Sequence, residues 1–459
     1  MNKNIETTEV KNQKSSNARL LALQVIDNVF TNGAYANIAL GKVLSKAHLG
    51  EQDRRFVTEL VYGSIKAKGT IDWLLRQQVS RPLTKISPKI LNILRLAVFQ
   101  IYYLERIPES AACNEAVKLA KKVGHAGTVK FVNGVLRNLI RNQDKLNFPS
   151  IEDNSILHLA LATMHPEWLV KRWLAEYGLD ETKALCAFNN EIAPLSIRTN
   201  TLRLERESLA TKLSAEGWEV KPSAWNKDGL ICSKITSLDI AFKKYGQAFY
   251  IQDESSMLVA DVVAPKSGEE ILDLCAAPGG KTTHLAQVMD NDGHIIASDI
   301  HEHKLKLIEE NAKRLGIDII EPLLFDATVD NQKWHSRFDR VLVDAPCSGL
   351  GVLRRRAEAR WTKNEKDLVQ FPLVQRQILD HAAKYLKPGG LLVYSTCTIV
   401  KEENSDVIVD FLAKHKDFEY AGITHPLTAV QSNELQLLPH RDRVDGFYIC
   451  ALRKKEEAI

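Results

Sequence analysis

Two cysteines and four aspartates stand out in this chain as residues able to do chemistry. Cys347 lies in Asp344-Ala-Pro-Cys-Ser-Gly349 and Cys397 in Tyr394-Ser-Thr-Cys-Thr398, each just past an apolar run that reads as a β-strand. A cysteine thiolate is an intrinsically strong nucleophile. Added to C6 of a cytosine, it turns C5, otherwise a poor nucleophile, into an enamine carbon that can take a methyl group. Loss of the C5 proton and elimination of the sulfur finish that exchange. Methylation at oxygen or at an exocyclic nitrogen needs no such thiol, so the pair narrows the target atom to C5. On this ground either cysteine could be the one that attacks.

Asp273, Asp299, Asp326 and Asp344 each close a strand in turn. One acid at a strand end is readily explained as a cap for the next helix. Four in succession point instead to ligand binding at the carboxyl edge of a parallel sheet. The first is followed by Cys275-Ala276-Ala277-Pro278-Gly279-Gly280-Lys281-Thr282, small residues that let the backbone approach a ligand at a helix N-terminus. A phosphate-binding P-loop would need glycine where Cys275 stands, and the G-x-G-x-x-G dinucleotide fingerprint is missing. What remains is a cofactor with a nucleoside and no required phosphate clamp, which S-adenosylmethionine satisfies. Asp299 is then placed to accept hydrogen bonds from the ribose hydroxyls, and Asp326 to meet the adenine edge.

These residues need a doubly wound α/β sheet to bring them together. From about residue 256 to 455 the sequence alternates apolar runs with amphipathic stretches. Strands are expected over 269–276, 294–300, 321–327, 338–346, 390–398 and 446–452, with helices over 303–315 and 364–386. The second helix is expected to end at Pro388-Gly389-Gly390. Most of the strands are apolar throughout, as strands covered on both faces are. Residues 160–255 mix helices with short strands at 195–200 and 230–233 and read as a small α+β module. Residues 18–145 repeat apolar positions at three and four residues, as in Ile90, Ile93, Leu94, Ala97 and Ile101, and read as an all-helical domain. Ser87-Pro88 is a start signal for one of its helices. Residues 1–17 are polar and are expected to form a disordered tail.

The net charge of +4 conceals an asymmetry. Residues 1–150 hold 23 Lys and Arg against 11 Asp and Glu, a net of +12, and the remainder carries −8. Positive charge concentrated in one part suits a polyanion, nucleic acid being the commonest. The seven cysteines form no C-x-x-C pair, so neither a zinc site nor a disulfide framework is indicated, and no metal is expected. Cys113, Cys186, Cys232 and Cys450 read as small buried hydrophobes. The N-terminus lacks the apolar core of a signal peptide and no run of about 18 apolar residues occurs, so no membrane partner is expected and a reducing cytoplasm is the natural compartment. A monomer is expected.

Asp-Leu-Cys-Ala-Ala-Pro-Gly-Gly-Lys-Thr (273–282), Asp-Ala-Pro-Cys-Ser-Gly (344–349) and Tyr-Ser-Thr-Cys-Thr (394–398), in that order, resemble the RNA cytosine-C5 methyltransferases of the NOL1/NOP2/Sun group. IQDESSM (251–257), DGFYICALRK (445–454) and SIRTN (196–200) match its flanking elements. The resemblance spans roughly residues 160–455, while ELVYGSIK (59–66) and KFVNGVLRNLI (130–140) resemble a helical NusB-like RNA-binding domain. Together they imply a Rossmann-like methyltransferase domain using S-adenosylmethionine, with small-subunit ribosomal RNA as substrate. By the same resemblance Cys397 is the nucleophile and Cys347 assists release of product. Cys275, Ala276, Ala277, Pro278, Gly279, Gly280, Lys281, Asp299, Asp326 and Asp344 form the cofactor site. Asp344 is also implied to hydrogen-bond the cytosine amine, and Lys281 is left between supporting the loop and meeting RNA phosphate.

One departure from the family pattern lies after the first cysteine, where Ala357 stands in place of proline within Arg354-Arg355-Arg356-Ala357-Glu358-Ala359-Arg360-Trp361. The four arginines are expected to contact backbone phosphate. Two other readings stay open: a related enzyme acting on tRNA, another RNA or DNA, and a non-catalytic RNA-binding or antitermination factor. The second has no need of both cysteines and all four acids.

Overall fold

A computed structural model describes residues 3–142 and 148–456, of which 3–17 are described as backbone only. The chain divides into two compact units. The first holds residues 1–190 together with 353–364, and the second holds 191–352 together with 365–459.

The first unit is helical, with helices at Lys3–Asn32, Ala36–Lys46, Glu51–Lys66, Lys68–Arg76, Pro88–Tyr103, Glu109–Val123, Ala126–Arg141, Ser155–Ala162 and Glu167–Asn190. The tail expected over 1–17 falls on residues 1 and 2, outside the described residues, and otherwise on the opening turns of the first helix, whose described burial begins at Ala18. Pro88 starts its helix at the first position, where a missing N–H costs nothing. The core is formed by Leu23, Ile26, Leu60, Ile65, Leu74, Leu94 and Leu136 among others. Inside it, Arg95 grips Asp72 through two parallel 2.7 Å bonds. The interval between the helical domain expected over 18–145 and the α+β module expected over 160–255 is not where the compact units divide. Helices 155–162 and 167–190 pack with the first unit, and the α+β module expected from residue 160 has its strands only from Leu195 onward.

The second unit opens with an antiparallel sheet of β1 (Leu195–Thr199), β2 (Glu219–Pro222), β3 (Gly229–Ser233) and β4 (Phe249–Ile251), in the order β2-β3-β1-β4. Its core is Ile197, Leu209, Leu213, Trp218, Leu230 and Phe249. The main sheet follows: β5 (Glu270–Asp273), β6 (His294–Asp299), β7 (Ile320–Leu324), β8 (Phe338–Asp344), β9 (Leu386–Thr396) and β10 (Phe418–Tyr420). A short ribbon of β11 (Ile423–Thr424) and β12 (Gln431–Ser432) precedes β13 (Glu434–Leu437) and β14 (Phe447–Lys454).

The order is β10-β14-β9-β8-β5-β6-β7, with β13 also on β14. Strands β5 to β9 run parallel, and β14 enters antiparallel to β9. The chain moves outward from β5 through β6 to β7, then returns to the other side of β5 with β8. That reversal opens a crevice at the carboxyl ends of β5 and β8, the usual ligand position in such a sheet. The helix expected over 364–386 spans Asp367–Tyr385, and Pro388-Gly389-Gly390, expected to end it, lies within β9. The pairing of β8 with β9 slips there, from Phe338 opposite Leu386 to Arg340 opposite Leu391, so the run makes a bulge. Apolar clusters cover both faces of the sheet, one around Leu272, Val341, Tyr385 and Leu392, the other around Ile271, Leu285, Leu342 and Val393. Among the described residues no helix is long and apolar enough to cross a membrane, and no cluster of three or more His, Cys, Asp or Glu residues could hold a metal ion.

Candidate active site

Cys347 and Cys397 come together at the mouth of the crevice. Each lies three residues or fewer beyond its strand, and the two strands are neighbours with Asp344 opposite Ser395, so the sulfurs stand 3.4 Å apart. The loops that carry them are laced to each other. The Ser348 and Thr398 hydroxyls lie 2.8 Å apart, and the Gly351 amide donates to the Cys397 carbonyl at 3.1 Å. Gly351 also accepts from the Gly446 amide at 2.8 Å, which brings in the Asp-Gly-Phe turn that begins β14. A Cβ on Gly351 would fall 2.1 Å from the Gly446 carbonyl oxygen, so only glycine permits this three-way contact.

The hydrogen bond with Cys397 is the largest influence pushing the Cys347 thiol well above its ordinary range. Burial and the charges of Cys397, Glu403 and Asp344 push the same way. Lys281 donates to Asp344 Oδ2 at 2.6 Å, while the Ser395 hydroxyl donates to Oδ1 at 2.9 Å. Burial alone would lower the Lys281 pKa, but the charge of Asp344 and its hydrogen bond outweigh it, with Cys397 and Asp273 adding to the pull, and the lysine is held above its usual value. Of the two roles left open for Lys281, the structure places it against Asp344 and over the Phe447 ring at 5.2 Å.

The loop Cys275–Lys281 is a tight turn held by its neighbours. The Ala276 amide donates to Ser298 O at 2.9 Å and the Gly279 amide to Ala276 O at 2.8 Å, and the Asn311 side chain holds Pro278 O at 3.1 Å. Gly279 has φ +95° and lies so close to the helix Glu302–Leu315 that a Cβ would sit 3.2 Å from the Ile308 Cα. Burial, reinforced by nearby carboxylates, pushes the Cys275 thiol well above its ordinary range, which leaves it inert.

The four acids divide. Asp273 is fully buried, takes the Thr282 hydroxyl at 2.7 Å, and is pushed up to about 7 chiefly by burial, so it acts as a structural support for the loop. Asp299 and Asp326 each use Oδ1 on their own turn, accepting from the His301 amide and from the Thr328 amide and hydroxyl. Among the described residues their other oxygens take no hydrogen bond. Asp344 faces the cysteines.

This donor set tests the expected cofactor. Three carboxylates surround the crevice, and the one lysine of the loop is bound to one of them, so the site is poor for phosphate and suited to a nucleoside bearing positive charge.

The arginine run departs from expectation. Arg360 is fully buried in the first unit, donating to the Met164 carbonyl at 3.0 Å, the Asn190 side chain at 2.7 Å and the Asn189 carbonyl at 2.6 Å. Arg354 is buried over the Phe188 ring at 4.4 Å. These two fasten the segment 353–364 rather than meet phosphate. Arg355 is half-buried, and only Arg356 is exposed. Ala357, where the family has proline, is buried among the helical core residues, and Trp361 Nε1 donates to Ile65 O at 2.7 Å.

Sequence reading missed several supports. Arg198, within the quoted SIRTN, is fully buried and donates to Gln252, to Gly280 O at 2.6 Å and to Thr283 Oγ1 at 3.0 Å, holding the first turn after the loop. Burial lowers its pKa to about 9. Glu403 and Gln375 were missed as well, although Glu403 stands only six residues after Cys397. The other four cysteines, Cys113, Cys186, Cys232 and Cys450, are buried and free, as expected.

Comparison with known proteins agrees with this architecture. Residues 260–453 match the family model described as 16S rRNA methyltransferase RsmB/F. Residues 16–141 match the NusB family and 165–239 a ferredoxin-like domain of RsmF/B-like methyltransferases. A Bacillus subtilis (strain 168) protein named a probable ribosomal RNA small subunit methyltransferase B is 41% identical over 451 residues, covering 96% of this chain and all of the relative. The ribosomal RNA small subunit methyltransferase B of Pectobacterium carotovorum is 32% identical over 96% of the chain and all of its own length. Among solved structures, PH0851 is 28% identical with a TM-score of 0.85, covering 96% of this chain and 98% of its own. A Pyrococcus horikoshii NSun6, solved with SFG, is 26% identical with a TM-score of 0.54, covering 64% of this chain and 99% of its own.

Proposed function

The chain belongs to the ribosomal RNA small subunit methyltransferase B family, and on that footing we propose that it methylates C5 of a cytosine in 16S ribosomal RNA through a covalent bond between Cys397 and C6. The observation that carries this reading is the 3.4 Å approach of the two sulfurs at the carboxyl ends of β8 and β9. S-adenosylmethionine, when bound, supplies the electrophilic methyl group. Asp299 and Asp326 would hold its nucleoside, with the Cys275–Lys281 loop beneath it.

The chain's own residues do the rest. The Cys397 thiolate adds to C6, and the displaced π electrons make C5 nucleophilic. Asp344, fixed by Lys281 and Ser395, is the group positioned for the cytosine amine. After C5 is methylated, its proton passes to water, the C5=C6 bond reforms, and the C6–S bond breaks with its electron pair returning to Cys397. The Cys347 S–H, 3.4 Å away, is the donor that stabilises the departing thiolate. The cycle releases one proton and returns both sulfurs to their starting state. The +12 charge of residues 1–150 supports the helical unit as the part that engages RNA.

The test is direct. The purified protein, S-adenosylmethionine and unmodified small-subunit rRNA are incubated and the RNA is digested to nucleosides for mass spectrometry. New 5-methylcytidine is expected. Its appearance only with tRNA, or of 5-methyldeoxycytidine only with DNA, would overturn the substrate, and the absence of both products would overturn the reaction.

A further inference from the structure

We propose that Glu403 is a positioning residue for product release, holding Cys347 opposite Cys397 by clamping the backbone on both sides of it with the help of Gln375. The inference rests on the reading of Cys347 given above. Glu403 Oε2 accepts from the Ser348 amide, one residue after Cys347, at 2.8 Å. The same oxygen accepts from Gln375 Nε2 at 3.2 Å, and that amide also donates to the carbonyl of Pro346, one residue before Cys347, at 3.0 Å. One carboxylate and one amide therefore fix both peptide groups that flank the cysteine. Glu403 and Gln375 are fully buried and Ser348 is 2% exposed, so water cannot substitute for either partner.

The clamp is anchored at its far end too. The Glu403 carbonyl accepts the Tyr394 hydroxyl at 2.6 Å, and the next residue, Asn404, ties Thr396 and Thr398, either side of Cys397, at 2.6 and 3.0 Å. Glu403 and Asn404 thus hold the two cysteine loops from adjacent positions, one loop each. The buried charge has a second consequence. The hydrogen bond with Cys397 and burial do most to keep the Cys347 thiol protonated, and the Glu403 carboxylate bonded one residue away adds to them, so that sulfur stays a hydrogen-bond donor, which is the state release requires.

A structural support alone would slow every step alike, whereas a clamp on Cys347 acts after the methyl group has moved. The test compares wild type, Glu403→Ala, Glu403→Gln, Gln375→Ala and Cys347→Ala on unmodified small-subunit rRNA with S-adenosylmethionine. A single-turnover measurement gives the methyl-transfer rate, and a denaturing gel gives the covalent protein–RNA adduct. Losing a buried hydrogen bond of this kind predicts a fall in multiple turnover of about tenfold to a hundredfold for Glu403→Ala. The expected pattern is adduct accumulation with near-normal first-turnover rate and KM for RNA, and partial rescue in Glu403→Gln, which keeps an oxygen for the Ser348 amide. Gln375→Ala, which leaves the carboxylate in place, should show a weaker form of the same pattern and serves if Glu403→Ala does not fold. Adduct in Cys347→Ala but none in the Glu403 and Gln375 variants would overturn this inference alone. No adduct even in Cys347→Ala would overturn the reading of Cys347 and this inference with it.

Discussion

Lys281 and Asp344 form an ion pair 2.6 Å long at the centre of the crevice, their side chains 14% and 27% exposed. A partly buried carboxylate left without its ammonium loses a charge-assisted hydrogen bond worth about 1.5–3 kcal/mol. Lys281→Met should therefore lower stability by about that amount, read from the urea midpoint, and the loss should be largely relieved in the Lys281→Met, Asp344→Asn double variant. Additive losses would show that the two residues are not coupled.

The cysteines should part company when each is removed. Cys397→Ala is expected to abolish turnover while RNA and cofactor binding persist, because only the bond to C6 is lost. Cys347→Ala is expected to leave a covalent protein–RNA band that survives denaturation. An adduct in Cys397→Ala instead would reverse the two assignments.

Asp273 makes stability depend on pH. Its folded-state pKa is raised, to about 7, against an unfolded value near 3.8. Above the unfolded value the denatured chain gives up this proton while the native state keeps it. The native state therefore loses ground as pH climbs from about 4 to about 7, and the loss then levels off. The shift corresponds to up to about 4 kcal/mol. Measured by urea unfolding, wild type should weaken relative to Asp273→Asn across that window, and parallel pH profiles for the two proteins would refute the assignment.

The arginine segment offers a contrast between neighbours. Arg360→Met takes a donor away from two backbone carbonyls and from the Asn190 side-chain oxygen inside the helical unit. It should destabilise that unit while leaving the salt dependence of RNA binding unchanged. Exposed Arg356, if it meets phosphate, should on conversion to alanine reduce the slope of log affinity against log salt by about 1. Equal slopes for wild type and Arg356→Ala would remove that arginine from the RNA contact.

Gly351→Ala should disable the site without touching a reacting group, since its methyl collides with the Gly446 backbone. Activity at background, with the protein still folded by circular dichroism, is the expected result.

The sequence made the sheet and its cysteines readable because each signal is local. Apolar runs ending in aspartate give the strand ends, and Cys347 and Cys397 announce themselves by their neighbours. The clamp on Cys347 was not readable in the same way. Glu403 and Gln375 are 28 residues apart, and the Ser348 amide they serve is a backbone group that every sequence has. The arginines misled for the opposite reason. Charge suggests exposure, but Arg360 is held by carbonyl and amide oxygens some 170 residues earlier, which no local pattern records. The packing of residues 155–190 with the helical unit was equally hidden, because helices that follow a loop can still pack backward.

The segment 353–364 also sets a timetable for synthesis. The helical unit draws Ala357 and Arg360 into its interior, yet these residues emerge only after residues 191–352 have been made. At ribosomal rates of about 5–20 residues per second, the interval from residue 190 to residue 364 is roughly 9–35 s. Throughout it the nascent helical unit carries an open slot beside Met164 and Asn189. The first part of the chain to be translated is thus completed only once the Cys347 loop has followed it out of the ribosome.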